Sequence, residues 1–430
     1  MSIRIGICAL LLSAVFPLTL RSEPVKKNDP LRIKAAAGDA EAAFYLGSEY
    51  FYGENNRVRN YTLAAYWFLK AADKGIPEAQ FNYASCLESG LGVKADLEAA
   101  FSWYKKSADQ DFAPAAFRVA RFYASGLPGK NGDFLLKPDR KAAVDLLEKL
   151  AGQEFMPAEI ELAAMLMGRS NPVSDHDRAF ALLSKVVKQG KCPPEALRML
   201  ADCYFSGIGC GKDRVKAFHL LKSAAEKGEM EALAKLGFLY EYGTEAAAAD
   251  PVKSREYYRK AAEAGHPMAQ FKYAEALSEG NFAGKDLNDA LPWYRKSAAG
   301  GCLQALFKLG VFYHDGTGVT KDRKRSVHYF YQAARGGFPK AQYNLACLFD
   351  DGTVTGKPDK EAAFYWFREA ARNGDVTAQK RVAECYLNGI GVDRSISQAE
   401  KWLLAAARNG DFSARELLFE LQRTIRSGSL

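Results

Sequence analysis

The sequence predicts an all-α protein: a right-handed α/α solenoid, or superhelix, of about ten helix-turn-helix repeats. Three observations carry that reading. The stretch from Leu303 to Gly337 divides into two short amphipathic helices around a glycine turn; a closing glycine recurs along the chain at a nearly constant interval; and every tryptophan holds the same place relative to that glycine.

In LQALFKLGVFYHDGTGVTKDRKRSVHYFYQAARGG (303–337), Ala305, Leu309, Phe312 and Tyr313 follow helical three-and-four spacing and share one apolar face. Gly310 leaves room for a neighbouring helix, which offsets its poor helix propensity. Gly316-Thr317-Gly318 stops the first helix, because glycine enters left-handed conformations at little steric cost. Val327, Phe330, Ala333 and Ala334 form a second stripe, and Gly336-Gly337 ends it. Helices this short depend on tertiary packing, and one pair cannot bury both stripes, so neighbours must stack.

The closing positions are Gly38, Gly75, Asp111, Glu154, Gly190, Gly228, Gly265, Gly301, Gly337, Gly374 and Gly410. All intervals are 36–38 residues except that from Asp111 to Glu154, which is longer by about six. Trp67, Trp103, Trp293, Trp366 and Trp402 each lie eight residues before a closing position. Tyr257 and Tyr329 take that place elsewhere, and Leu146, Leu182 and Leu220 take it in the middle of the chain. A ring that recurs once per repeat reads as a wedge between helices.

The order alanine, LG, Tyr, GxG turn, Ala, Trp, Lys-Ala-Ala, Gly resembles the Sel-one-like repeat (SLR) family, a relative of the tetratricopeptide repeats. It is carried by AQFNYASCLESGLGVKADLEAAFSWYKKSADQD (79–111) and by AQYNLACLFDDGTVTGKPDKEAAFYWFREAARNG (341–374). The resemblance covers almost everything after residue 30. It implies a solenoid used for protein–protein contacts, with no catalytic residues and no cofactor.

Residues 1–22 carry Arg4 and an apolar run from Ile5 to Leu20, short for a membrane span and suited to a secretory signal. This predicts a periplasmic or secreted bacterial protein with no membrane span after signal removal; an uncleaved anchor is the alternative. Residues 23–33 read as a linker and 34–410 as the solenoid, opening on a half repeat. Repeat three contains the enlarged turn GLPGKNGDFLLKPD (126–139), and repeat four the irregular turn 168–177. Residues 411–430 read as a terminal capping helix.

The net charge of +8 is mild for 430 residues and argues against a nucleic-acid track. Cys86, Cys203 and Cys385 share one first-helix position and behave as small apolar residues. Cys192, Cys210 and Cys302 lie near helix ends, and a bridge within repeat five involving Cys210 is conceivable. Three turns imitate phosphate loops (209–213, 280–286 and 352–359), but spacing and helical context are wrong for one. Some SLR proteins have been linked to β-lactam chemistry, so an enzyme of cell-wall or β-lactam type is the rival class. The pair Ser102 and Lys105 is the one SxxK match for it, and its companion motifs are missing. The histidines show no zinc spacing; His314, beside Asp315 and facing Asp350 and Asp351 of the next repeat, comes nearest to a metal cluster.

In tetratricopeptide-like solenoids the first helices line the concave surface. The resemblance therefore puts Glu88, Asp202, Glu241, Glu275, Glu279, Asp315, Asp350, Asp351 and Glu384 on or near that surface, with Phe205, Tyr242 and His314 interleaved. The lysines and arginines of the second helices are expected on the other side. The expected site is an acidic groove, strongest in repeats six to ten, and the expected partner a basic protein or peptide segment.

Overall fold

The computed structural model describes residues 29–129, 133–168, 174–279 and 287–426. The chain falls into two compact units, residues 1–212 and 213–430. In the first, α1 (Pro30–Ala36) precedes the pairs α2 (Ala40–Tyr52) with α3 (Tyr61–Ala72), α4 (Pro77–Ser89) with α5 (Leu97–Ala108), α6 (Ala113–Ser125) with α7 (Arg140–Gly152), and α8 (Met156–Leu166) with α9 (His176–Lys188); α10 (Pro194–Ser206) closes it. In the second, α11 (Arg214–Glu226) precedes α12 (Met230–Tyr242) with α13 (Pro251–Glu263), α14 (Pro267–Ser278) with α15 (Leu287–Ala299), α16 (Leu303–Asp315) with α17 (Arg323–Arg335), α18 (Pro339–Asp350) with α19 (Lys360–Arg372), and α20 (Val376–Asn388) with α21 (Ile396–Arg408); α22 (Phe412–Arg426) closes it.

Small residues set the register. The third residue of every first helix from α2 to α22 is an alanine, buried in each case, from Ala42 to Ala414. All eleven closing positions have positive φ, including the two that are not glycine, Asp111 at 57° and Glu154 at 59°. Gly310 lies where a Cβ would come within 2.7 Å of the Phe330 ring, so its absence lets the two helices of the repeat meet closely. The second glycine of a turn serves the previous repeat: a Cβ on Gly391 would sit 1.9 Å from the carbonyl oxygen of Lys360 at the start of α19.

Second helices begin on a capping side chain. Asp96, Asp139, Asp175, Asp213, Asp250, Asp322 and Asp359 each accept a hydrogen bond of 2.9–3.0 Å from the amide three residues on. Buried glutamines tie consecutive repeats: Gln80, Gln270, Gln342 and Gln379 donate to the carbonyls of Ala72, Ala262, Ala334 and Ala371 at the end of the preceding second helix. Three of them also accept from Gln110, Asn373 and Asn409 at the end of their own repeat.

The tryptophans pack as inter-repeat wedges, but the deepest place belongs to the residue that follows. Trp103, Trp293, Trp366 and Trp402 are half-buried, whereas Phe68, Tyr104, Tyr294, Phe330, Phe367 and Leu403 are fully enclosed. Trp366 joins the core around Phe330 to that around Phe367, and Trp402 joins the latter to that around Leu403.

Three expectations change in detail. The helix α1 begins at Pro30, on an Asp29 cap, and so takes in residues given to the linker. The enlarged turn of repeat three is a small antiparallel ribbon, β1 (Leu127–Pro128) with β2 (Phe134–Leu136), the one sheet among the described residues. No bridge forms in repeat five: all seven cysteines of the described residues are thiols, and burial pushes that of Cys203 up to about 12. The proposed secretory signal lies outside the described residues.

Candidate partner-binding face

The first-helix face is where the sequence places the binding residues, and there the structure adds counter-charges to the expected carboxylates. Glu88 on α4 accepts from the Tyr104 hydroxyl at 2.8 Å and pairs with Arg118 on α6. Glu241 on α12 accepts from the Tyr258 hydroxyl at 2.7 Å and from Lys272 on α14 at 3.2 Å. Asp350 on α18 pairs with Lys360 at 2.8 Å and with Arg381 on α20 at 3.4 Å. In all three cases the same first-helix position carries the acid, and the first helix of the next repeat supplies the base 30 or 31 residues later. These side chains are half-buried, so the pairs are screened less than surface pairs and order the face.

The remaining carboxylates divide. Asp202 accepts from Arg198 at 3.1 Å and Glu384 from Arg381 at 3.0 Å, each within its own helix. Glu275 lies 3.8 Å from Lys272. Burial pushes the Glu275 carboxyl up, against the pull of Lys272 and Lys308. Burial would lower the Lys272 ammonium, but its bond to Glu241 outweighs this and holds it above the ordinary range. Burial and the adjacent carboxylates push the phenols of Tyr104 and Tyr258 up, which keeps both as donors. Glu279 is exposed at the C-cap of α14.

In each unit, arginines and lysines of the first helices thus interleave with the expected carboxylates. Tyr242 is 64% exposed, and its ring lies tilted at 48° against that of Phe238, 4.8 Å between centres; Phe238 is itself 52% exposed and one turn earlier on α12. Glu241 and Glu275 therefore meet at Lys272, while Tyr242, next to Glu241 on α12, holds Phe238 against its ring; neither Lys272 nor Phe238 stood out in the sequence. Asp202, Glu88, Glu384 and the 350–351 pair belong to other repeats and do not join that group.

His314 Nδ1 lies 2.8 Å from Asp315 Oδ1, and His314 shares a hollow of about 120 Å³ with Asp351. The same hollow is lined by Lys321 and Arg323, two cations that oppose a metal ion, and Asp350 is engaged by Lys360 and Arg381 instead. Asp351 accepts from the Thr353 amide at 2.8 Å. Among the described residues no group of three His, Cys, Asp or Glu side chains could hold a metal. Ser102 and Lys105 are exposed on α5, a second helix. Of the phosphate-loop imitations, 280–286 falls outside the described residues. No described helix is long and apolar enough to cross a membrane.

Helix pairs closed by left-handed residues, with a polar and aromatic first-helix face, define a tetratricopeptide-like helical-repeat protein. The chain belongs to the Sel1 repeat family: the family pattern matches residues 40–76, 77–112, 113–154, 157–191, 194–229, 231–266, 267–302, 303–338, 339–375 and 376–411. Among solved structures it is similar to c5321, a protective antigen of uropathogenic Escherichia coli displaying an SLR fold (30% identity, TM-score 0.57, 92% of this chain and 82% of that one). It is also similar to a Sel1 repeat protein from Oxalobacter formigenes (25% identity, TM-score 0.50, 91% and 89%). DAP3-binding cell death enhancer 1 of Mus musculus is 37% identical over 187 residues, 44% of this chain and 35% of that protein. The chain thus matches about a third of the length of that relative. Sel1 repeat proteins generally mediate protein–protein interactions, and their scaffolds are generally non-catalytic.

Proposed function

We propose that this chain is an exported scaffold that holds a protein partner on its first-helix face, centred on α12 and α14. One observation supports this most: two large aromatic side chains of α12, Phe238 and Tyr242, stand exposed and in contact, and Glu241 of the same helix pairs with Lys272 of α14, which also neighbours Glu275. Exposed tyrosine and phenylalanine on a rigid helix, with charges already held in place on the same helix, is the composition of an interface with an aromatic core and a polar rim. The partner segment is extended and basic, and it meets Glu275 and Glu279 as its helix-bound neighbours meet the other carboxylates.

The test is a photo-crosslinking amino acid placed at Tyr242 and, as a control, at Glu256 on the second helix α13. Partners are expected to crosslink at 242 and not at 256; equal yields would sink the proposed face. With a captured partner in hand, Phe238→Ala together with Tyr242→Ala should weaken binding at least about 30-fold, the hot-spot threshold of ~2 kcal/mol. Export is tested separately, by the mass and location of the mature chain.

A further inference from the structure

A second site lies between α5, α6 and α7, and the chain's own repetition says what would fill it. In repeats two and seven the tryptophan meets a tyrosine of its own first helix edge-on: Tyr83–Trp103 at 5.7 Å and Tyr273–Trp293 at 5.4 Å. The lysine three residues after each tryptophan lies over the indole, Lys106 at 4.0 Å and Lys296 at 4.2 Å from the ring centre. In repeat three the corresponding residues are Val119 for the tyrosine and Leu146 for the tryptophan, while the lysine is kept as Lys149. A third side chain is reduced as well, since Ala116 stands where other repeats place the buried glutamine.

These three truncations border one hollow of about 660 Å³ between α5, α6 and α7, within the size range of ligand sites. Repeats four and five also have aliphatic residues at both ring positions, but there Glu159 and Leu197 occupy the third position and are buried. Only in repeat three do all three reductions coincide.

We propose that this hollow binds a tryptophan side chain presented by a protein partner, its ring seated on Val119 and Leu146 with Lys149 over its face. The electrostatic complement is already present, because the cation that covers the ring in repeats two and seven stands at the rim here. Lys149 is now 3.1 Å from Asp111, and both side chains are more than half exposed, so little is lost in redirecting it. Gln153 also lines the hollow. In repeats two, nine and ten the residue at its place donates to the buried glutamine, which Ala116 replaces in repeat three. The Gln153 amide oxygen is therefore available to accept from an indole N–H. A second copy of this chain does not supply the ring, since all five of its tryptophans are buried or half-buried.

The experiment uses the full chain, with methyl NMR of Val119 and Leu146. N-acetyl-tryptophan amide and a flexible Gly/Ser peptide bearing one central tryptophan should both perturb these methyls saturably, while N-acetyl-leucine amide should not. Leu146→Trp, which restores the arrangement of repeat two, should raise Tm and remove binding of both probes. Lys149→Met should weaken binding about two- to fivefold without changing Tm, the range of one cation–π contact. Binding retained by Leu146→Trp, or no saturable shift in the parent chain, would overturn the proposal. Binding of the free amide but not of the peptide would overturn the polypeptide partner and assign the hollow to small aromatic molecules.

Discussion

Repeats three and nine have one skeleton and different fillings. Both keep buried alanine at the third and eighth positions of the first helix (Ala115 and Ala120, Ala341 and Ala346) and at the start of the second (Ala143, Ala363). Both close on a left-handed residue. Repeat nine adds Gln342, which donates to Ala334 and accepts from Asn373, together with Trp366, Phe367 and a closing Gly374. Repeat three has Ala116, Leu146, Leu147 and a closing Glu154 in those places. The difference separates two duties. Small residues and left-handed closures fix the path of the chain, whereas rings and glutamines supply the energy that ties one repeat to the next. The path therefore survives where the filling is lost, and the space released becomes a surface feature such as the hollow at Leu146.

The largest effect should come from the filling of the regular region. Phe367 is fully enclosed, and Phe367→Ala should cost about 3–5 kcal/mol by lost burial and cavity formation. In a repeat protein that loss stays local, because stability sums over neighbouring interfaces. Hydrogen exchange should accelerate in 339–411 and remain unchanged in 40–108. Equal acceleration in both stretches would mean that the repeats do not act as nearest-neighbour units.

A smaller effect separates the closures. Glu154 holds φ of 59°, a region that costs a residue with a Cβ about 1–2 kcal/mol, while glycine adds unfolded-state freedom worth about 0.5–1 kcal/mol. Glu154→Gly should thus stabilise repeat three by up to about 1 kcal/mol, and Gly374→Glu should destabilise repeat nine by a similar amount. Thermal melts of the two single variants and of the double variant check this. A loss of stability in Glu154→Gly would show that its side chain earns its place by some other contact.

Much of this architecture was legible because it is written in positions that repeat. Asp111 and Glu154 could be read as glycine equivalents from spacing alone, and both adopt the glycine conformation. The tryptophan register was legible too, yet it points one residue short of the deepest site. The innermost line of a second helix runs through Ala363, Phe367 and Ala370, spaced four and three apart, and Trp366 sits beside it. The ion pairs between repeats were not legible along any single helix. Glu241 finds Lys272 only when adjacent repeats are laid in register, and reading the carboxylates by themselves made the face look acidic. The ribbon of repeat three was hidden for a different reason, since strands of two and three residues carry no usable alternation.

The smallest expected effect concerns the glutamine position itself. Repeat four has Glu159 there, 1% exposed, with one oxygen 2.7 Å from Lys185 and the other without a hydrogen-bond partner. A carboxylate cannot donate, so it cannot make the bond that Gln342 and Gln379 make to the end of the previous second helix. In repeat four the matching acceptor is the carbonyl of Ala151. Glu159→Gln should recover that bond, worth about 1 kcal/mol, and relieve a buried charge, at the loss of a pair whose lysine is nearly half exposed. A net gain of up to about 1 kcal/mol is expected, with slower exchange in 156–166. The reverse change, Gln342→Glu, should be the more damaging of the two, because Gln332 of repeat eight stands at the place corresponding to Lys149 and Glu369 of repeat nine at that of Lys185. If Glu159→Gln melts lower than the parent and Gln342→Glu is neutral, the glutamine ladder is not what ties these repeats together, and the ion pair with Lys185 is the stronger link.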